Sequence, residues 1–163
     1  MNCKLLGCIA VLLLVLIFPA SAAMVSFLIV ETGLNDGVPR TEYGDLWEDA
    51  LMASFFDSGH IVTNSPILRM EQKPVQDLSG TVMNDFEEAA RGGAEYFVLC
   101  FLNYQVQGRR ATPVDITIRT YRTDTQELVS ERNFPAGRAR SLSEESRFAR
   151  DASGMIVSQI RDR

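Results

Sequence analysis

A chain of 163 residues with 21 acidic against 16 basic side chains carries a formal charge of −5. That balance gives it no electrostatic footing on nucleic acid or anionic lipid, both of which need clustered Lys and Arg to release counterions. The length fits one domain, large enough to bury a core without covalent staples.

Lys4 precedes an unbroken apolar run from Leu5 to Phe18, and Pro19-Ala20-Ser21-Ala22-Ala23 supplies the helix break and small residues of a peptidase site. The run of about 14 residues is short for a ~30 Å hydrocarbon core. Residues 1–23 read as a signal peptide, cleaved after Ala22 or Ala23, with a single α/β domain over 24–163. The alternative is an uncleaved membrane anchor, because Met24 to Val30 is also nearly all apolar. Leu5-Leu6-Gly7-Cys8 is a poor lipidation box, since Cys8 sits at the start of the apolar run and not after it. Cys3 and Cys8 leave with the leader, so Cys100 stands alone and no intramolecular disulfide is expected. An exported domain without disulfides fits the periplasm of a Gram-negative-type bacterium.

Val25 to Glu31 predicts a buried strand, ended by Thr32-Gly33 and followed by turn chemistry at Asn35-Asp36-Gly37 and Pro39. Thr41 is placed to cap a helix with Glu42 and Asp45 in its first turn. Its apolar stripe is Tyr43, Leu46, Trp47, Ala50, Leu51 and Phe55, and Gly59 is its left-handed cap. His60 to Met70 reads as a strand with Val62, Leu68 and Met70 on one face, kept to a sheet edge by Pro66. After a polar loop from Glu71 to Gly80, a short helix from about Val82 turns Met83, Phe86, Ala89 and Ala90 inward and closes at Gly92-Gly93.

Ala94 to Val106 is apolar on both alternating sets, which predicts a central strand. A hairpin follows. Val114, Ile116 and Ile118 alternate with Asp115, Thr117 and Arg119, then Thr123-Asp124-Thr125-Gln126 turns the chain into Leu128 to Phe134. Ser141 and Glu144 form a capping box for a last helix with Leu142, Phe148, Ala149, Ala152, Ile156 and Ile160 inward. The order β-α-β-α-β-β-β-α predicts an α/β (α+β) two-layer sandwich on a mixed sheet.

No constellation in the chain specifies a reaction. His60 is the only histidine, with Asp57 three residues away, and reads as structural or solvent-facing. Glu42, Asp45, Glu48 and Asp49 read as a solvated helix face, as do Glu87 and Glu88, because no calcium-loop pattern accompanies them. Arg138, Arg140, Arg147 and Arg150 also read as solvated, with Arg147 spaced to pair with Glu144; the alternative is contact with an acidic partner. Cys100 reads as a buried thiol, and no serine sits in a nucleophile elbow. Tyr96, Phe97, Phe101 and Tyr104 read as core, not as a base-stacking platform. Catalytic, cofactor and metal sites are therefore expected to be absent.

Leu46-Trp47-Glu48-Asp49-Ala50-Leu51 through Phe55-Phe56-Asp57-Ser58-Gly59 resembles the first helix of a known envelope domain. Ala89-Ala90-Arg91-Gly92-Gly93-Ala94-Glu95-Tyr96-Phe97-Val98-Leu99 resembles its helix–glycine–central-strand step. Ile116-Thr117-Ile118-Arg119-Thr120-Tyr121 with Thr123-Asp124-Thr125-Gln126-Glu127-Leu128-Val129 resembles its hairpin. That domain is shared by the N-terminal part of TolB, the CsgG curli-secretion protein and LpoB-type activators of peptidoglycan synthases. The resemblance implies an envelope protein that acts by binding partners. The chain departs from the lipoprotein members in lacking a usable lipidation cysteine, and from the curli protein in lacking its membrane-spanning segments.

The expected function is a non-enzymatic periplasmic module that binds another envelope protein, in cell-wall synthesis or a secretion or Tol-type assembly, through a surface patch. The alternative is a receptor for a small ligand or peptidoglycan fragment, lined by the loops Gly33–Glu42 and Glu71–Asn84. A hydrolase using His60 with a nearby carboxylate stands third.

Overall fold

The structure, a computed structural model, describes residues 22–34, 42–70, 78–108, 110–135 and 140–161. The leader and the Thr41 cap lie outside the described residues, as does Arg138. The elements are β1 (Met24–Thr32), α1 (Glu42–Asp57), β2 (Ile61–Asn64), β3 (Leu68–Met70) and α2 (Gly80–Arg91), then β4 (Tyr96–Gln107), β5 (Arg110–Arg122), β6 (Leu128–Pro135) and α3 (Leu142–Arg161). This is the expected order, with the second strand in two pieces. Ser65 N–H still donates to Phe27 O at 3.0 Å, and pairing resumes only at Leu68 against Val30. Pro66 sits in the gap, where its missing N–H costs the ladder nothing.

The six-stranded open sheet runs β2-β1-β4-β5-β6, with β3 also paired to β1. β1 is parallel to β2, β3 and β4, whereas β4–β5 and β5–β6 are antiparallel. β4 lies centrally, and Tyr96 through Leu102 are buried without a break. Its even-numbered residues Val98, Cys100 and Leu102 join Phe27 and Ile29 of β1 and Ile116 and Ile118 of β5 under α1 and α3. Its odd-numbered Phe97 and Leu99 join Leu28 and Val30 under α2, where Phe86 meets Phe97 edge-on at 5.4 Å between ring centroids. Two layers therefore describe β5 and β6, while α2 adds a third layer over β1 and β4. The cause is the strand pattern: β1 and β4 are apolar on both faces and must be covered twice, and β5 is not.

Local signals account for the helix ends. Gly59 takes φ +84°, and its N–H donates to Phe56 O at 2.9 Å. The capping box closes in both directions: Ser141 N–H donates to Glu144 Oε2 at 2.9 Å, and Glu144 N–H donates to Ser141 Oγ at 3.3 Å. Two inward assignments need correction. Val114 falls at a register shift, where Asn103 faces Asp115 and Tyr104 faces Pro113, so it is the extra residue of a bulge. Leu142 is 42% exposed. The face of α3 that meets the sheet is Glu145, Ala149, Ala152, Ser153, Ile156, Val157 and Ile160, and Leu142 lies a turn before it.

Because α2 holds its face of the sheet mainly through Val82 and Phe86, Phe86→Ala is expected to cost about 3–5 kcal/mol through lost burial and a residual cavity. Urea denaturation monitored by circular dichroism measures it.

Candidate functional site

α1 and α3 run side by side with their N-termini at the same end of the sheet. Tyr43 in the first turn of α1 donates its hydroxyl to Arg140 O at 3.2 Å, just ahead of α3. One turn further, Trp47 Nε1 donates to Glu145 Oε1 at 2.9 Å, and Arg140 Nη1 donates to Glu145 Oε2 at 3.2 Å. The Arg140 guanidinium also lies 3.8 Å from the centroid of Phe148, whose ring meets Trp47 and Phe134 edge-on at 5.9 and 5.7 Å. Burial, with Glu145 and Glu42 nearby, raises the Tyr43 phenol above its usual value and keeps it a donor. Arg140 is thus not the solvated arginine expected from the sequence. It is drawn in because a carboxylate on the buried face of α3 demands a cationic donor. Arg147 and Arg150 are exposed as expected.

On the outer side of the same helix pair lies an open groove of about 770 Å³. Leu46, Ala50, Ala53 and Phe56 of α1 and Leu142 of α3 give it apolar walls. Glu42, Asp45, Asp49 and Asp57 rim the α1 side, and Arg150 faces them from α3. Phe55 is fully buried, while its neighbour Phe56, a helical step of about 100° away, is 71% exposed. The acidic residues are solvated as expected, except that Glu48 is half-buried and accepts a hydrogen bond from Asn64 Nδ2. The loops expected to line a pocket fall largely outside the described residues. A second, smaller depression of about 270 Å³ lies on the sheet face that α2 leaves open, over Phe101, between Asn103, Asp115 and the paired Arg119 and Glu131.

The buried titratable groups are closed to chemistry. His60 packs edge-on against Phe55 at 6.0 Å, and neither ring nitrogen has a hydrogen-bond partner among the described residues. The His–carboxylate pair that a hydrolase requires is therefore not formed with Asp57. Cys100 is buried, and loss of hydration raises its thiol far above the ordinary value. Among the described residues, no three of His, Cys, Asp and Glu converge as metal ligands, and no helix is long and apolar enough to cross a membrane.

Glu31 was not singled out by sequence reasoning. It is 1% exposed at the C-terminal end of β1. It accepts from Tyr104 Oη at 2.8 Å and from Arg69 Nε at 2.9 Å, tying β1 to β4 and β3. Its Oε1 lies against the first turn of α1: a Cβ added at Gly44 would stand 2.7 Å from it and 3.2 Å from Ile67 Cδ1. An acidic residue ending an otherwise apolar strand was the available signal.

A family model described as "Uncharacterised protein" matches residues 40–133. No curated protein matches the chain. Among solved structures, a PelC dodecamer from Paraburkholderia phytofirmans is 12% identical, with a TM-score of 0.48 over 85% of this chain and 87% of that one. The LpoB C-terminal domain from Salmonella enterica is 15% identical, with a TM-score of 0.43 over 76% and 90%. TolB from Acinetobacter baumannii is 16% identical, with a TM-score of 0.38 over 86% of this chain and 27% of that one. TolB and LpoB are two of the three relatives named from the sequence, and at these levels no residue role carries over.

Two outcomes check this geometry. Replacing a mid-helix glycine by alanine ordinarily stabilises by about 0.5–1 kcal/mol. Gly44→Ala is expected to destabilise instead, by roughly 1–3 kcal/mol, because the new methyl group displaces a buried, fully engaged carboxylate. Thermal and urea melts give the sign. The Cys100 thiol is expected to resist alkylation in the folded protein at pH 8 and to react fully in denaturant, as mass spectrometry will show.

Proposed function

The chain belongs to the family described as "Uncharacterised protein", and we propose that it is a non-enzymatic, exported module that binds another protein of the cell envelope through the α1–α3 groove. One observation carries this reading: Phe56, 71% exposed, faces the groove that Leu142 also lines. Covering a phenylalanine ring fully is worth about 1.5–3 kcal/mol, and neither helix of the pair covers this one. Contiguous apolar surface with a polar rim is the usual anatomy of a protein interface.

The inaccessible state of Cys100 and Glu31, and His60 ring nitrogens without a hydrogen-bond partner among the described residues, support a non-catalytic role. Export rests on the leader read in residues 1–23. A second reading, a receptor for a small ligand or peptidoglycan fragment, draws on the groove's volume, which falls within the ~300–1,000 Å³ of small-molecule sites.

The test places a photo-crosslinker at Ala53, exposed within the groove, in the protein in its native envelope. One dominant protein adduct is expected, reduced at least tenfold by Phe56→Asp, whose exposure leaves the thermal melt unchanged. Equal capture by both proteins overturns the reading. A rise in melting temperature with a peptidoglycan fragment, abolished by the same substitution, decides for the receptor.

A further inference from the structure

We infer that the occupant of the α1–α3 groove is a basic amphipathic helix. This deepens the proposed binding function and rests on it. The groove walls are the flanks of two helices, whose backbone groups are bonded within each helix. An extended peptide laid between them finds no ladder for its own N–H and C=O groups, whereas a helix arrives with its backbone already satisfied. The valley between two neighbouring helices is also the surface into which a third helix packs its ridges.

The spacing of the apolar points sets the register. Tyr43 meets Arg140 and Trp47 meets Glu145, so Leu142 lies level with about residue 44 of α1. From there to Phe56 is about 12 residues, or about 18 Å at 1.5 Å per residue. A helix spanning that distance presents apolar residues at i, i+4, i+7 and i+11 to Phe56 at one end and Leu142 at the other.

Charge decides the chemistry of the remaining faces. Glu42, Asp49 and Asp57, together with Asp45, rim the α1 side of the groove, and among the described residues that line it the cation is Arg150 on α3. An occupant with Lys or Arg beside its apolar stripe meets that rim favourably, and an acidic one is repelled. The whole chain, at −5, adds to the same bias.

The probe is a fluorescein-labelled synthetic peptide of Leu and Lys with Leu at i, i+4, i+7 and i+11. It is compared with the same pattern carrying Glu for Lys and with a scrambled Leu/Lys peptide, by anisotropy at low and at physiological salt. The Lys peptide is expected to bind the purified protein at least tenfold tighter than either control and to weaken as salt rises. Phe56→Asp and the double variant Glu42→Gln/Asp49→Asn are each expected to lower its affinity at least fivefold. Glu87→Gln/Glu88→Gln, exposed on α2 across the sheet, is expected to leave it unchanged.

Equal binding of the Lys and scrambled peptides, or an equal loss in the α2 variant, overturns the inference by showing attraction to the acidic surface at large. Equal binding of the Glu peptide, sensitive to Phe56→Asp, overturns the basic occupant and leaves the groove a docking site. Concentration-dependent dimerisation abolished by Phe56→Asp makes a second copy of the chain the occupant, and binding of no peptide also overturns the inference. The crosslinking result with Phe56→Asp separates these failures from failure of the binding reading itself.

Discussion

The geometry of the helix layer depends on one carboxylate. Glu145 is placed on the buried face of α3 and must be satisfied there, because an uncompensated buried charge costs several kcal/mol. It accepts from Trp47 Nε1 of α1 and from Arg140 Nη1 in the segment ahead of α3. Such a network adds little net stability over well-packed apolar residues, since desolvation consumes most of the Coulombic gain. What it fixes is position. With its two oxygens engaged by different parts of the chain, α3 cannot slide by a turn along α1 without orphaning a charge. The groove on the outer side inherits that rigidity, so its walls are set before any partner arrives.

Glu31 has a matching role at the end of β1. Its engagement with Tyr104 and Arg69 joins β1 to the strands on either side, and its contact with Gly44 sets how closely the first turn of α1 approaches the sheet. The N-terminal end of a helix favours a nearby carboxylate, which lowers the cost of burying this one. The carboxyl ends of parallel strands commonly host active sites in open α/β sheets. Here Glu31 occupies that position, already engaged and closed to solvent.

What the sequence made legible was what depends on near neighbours. The capping box joins residues three apart, Gly59 ends its helix by its own backbone preference, and β4 declares itself central because both of its alternating sets are apolar. The interactions that build the site do not have this property. Trp47 and Glu145 are 98 residues apart, and Tyr104 and Glu31 are 73 apart. No periodicity links such pairs, so Arg140 read as solvated and Glu31 as the end of a strand. Val114 misled for a related reason: its alternation with Ile116 is genuine in the sequence, but Pro113 interrupts the ladder and the bulge takes Val114 out of phase. The placement of α2 opposite α1 was implicit in the two-sided apolar character of β1 and β4, which requires cover on both faces.

The contrast between α1 and α2 bears most directly on function. α2 commits Val82 and Phe86 to the sheet and shows Asn84, Glu87, Glu88 and Arg91 outward, the division expected of a helix with one buried face. α1 commits Trp47, Ala50, Leu51 and Phe55 to the sheet and still carries Leu46, Met52, Ala53 and Phe56 along the groove. Of these, Leu46 and Met52 are half-buried and also pack against the core, whereas Ala53 and Phe56 are exposed. Asp49 and Asp57 line the groove beside the exposed pair. Among the described residues of α1, Phe56 is the large apolar side chain that the core leaves exposed, and it stands in the groove.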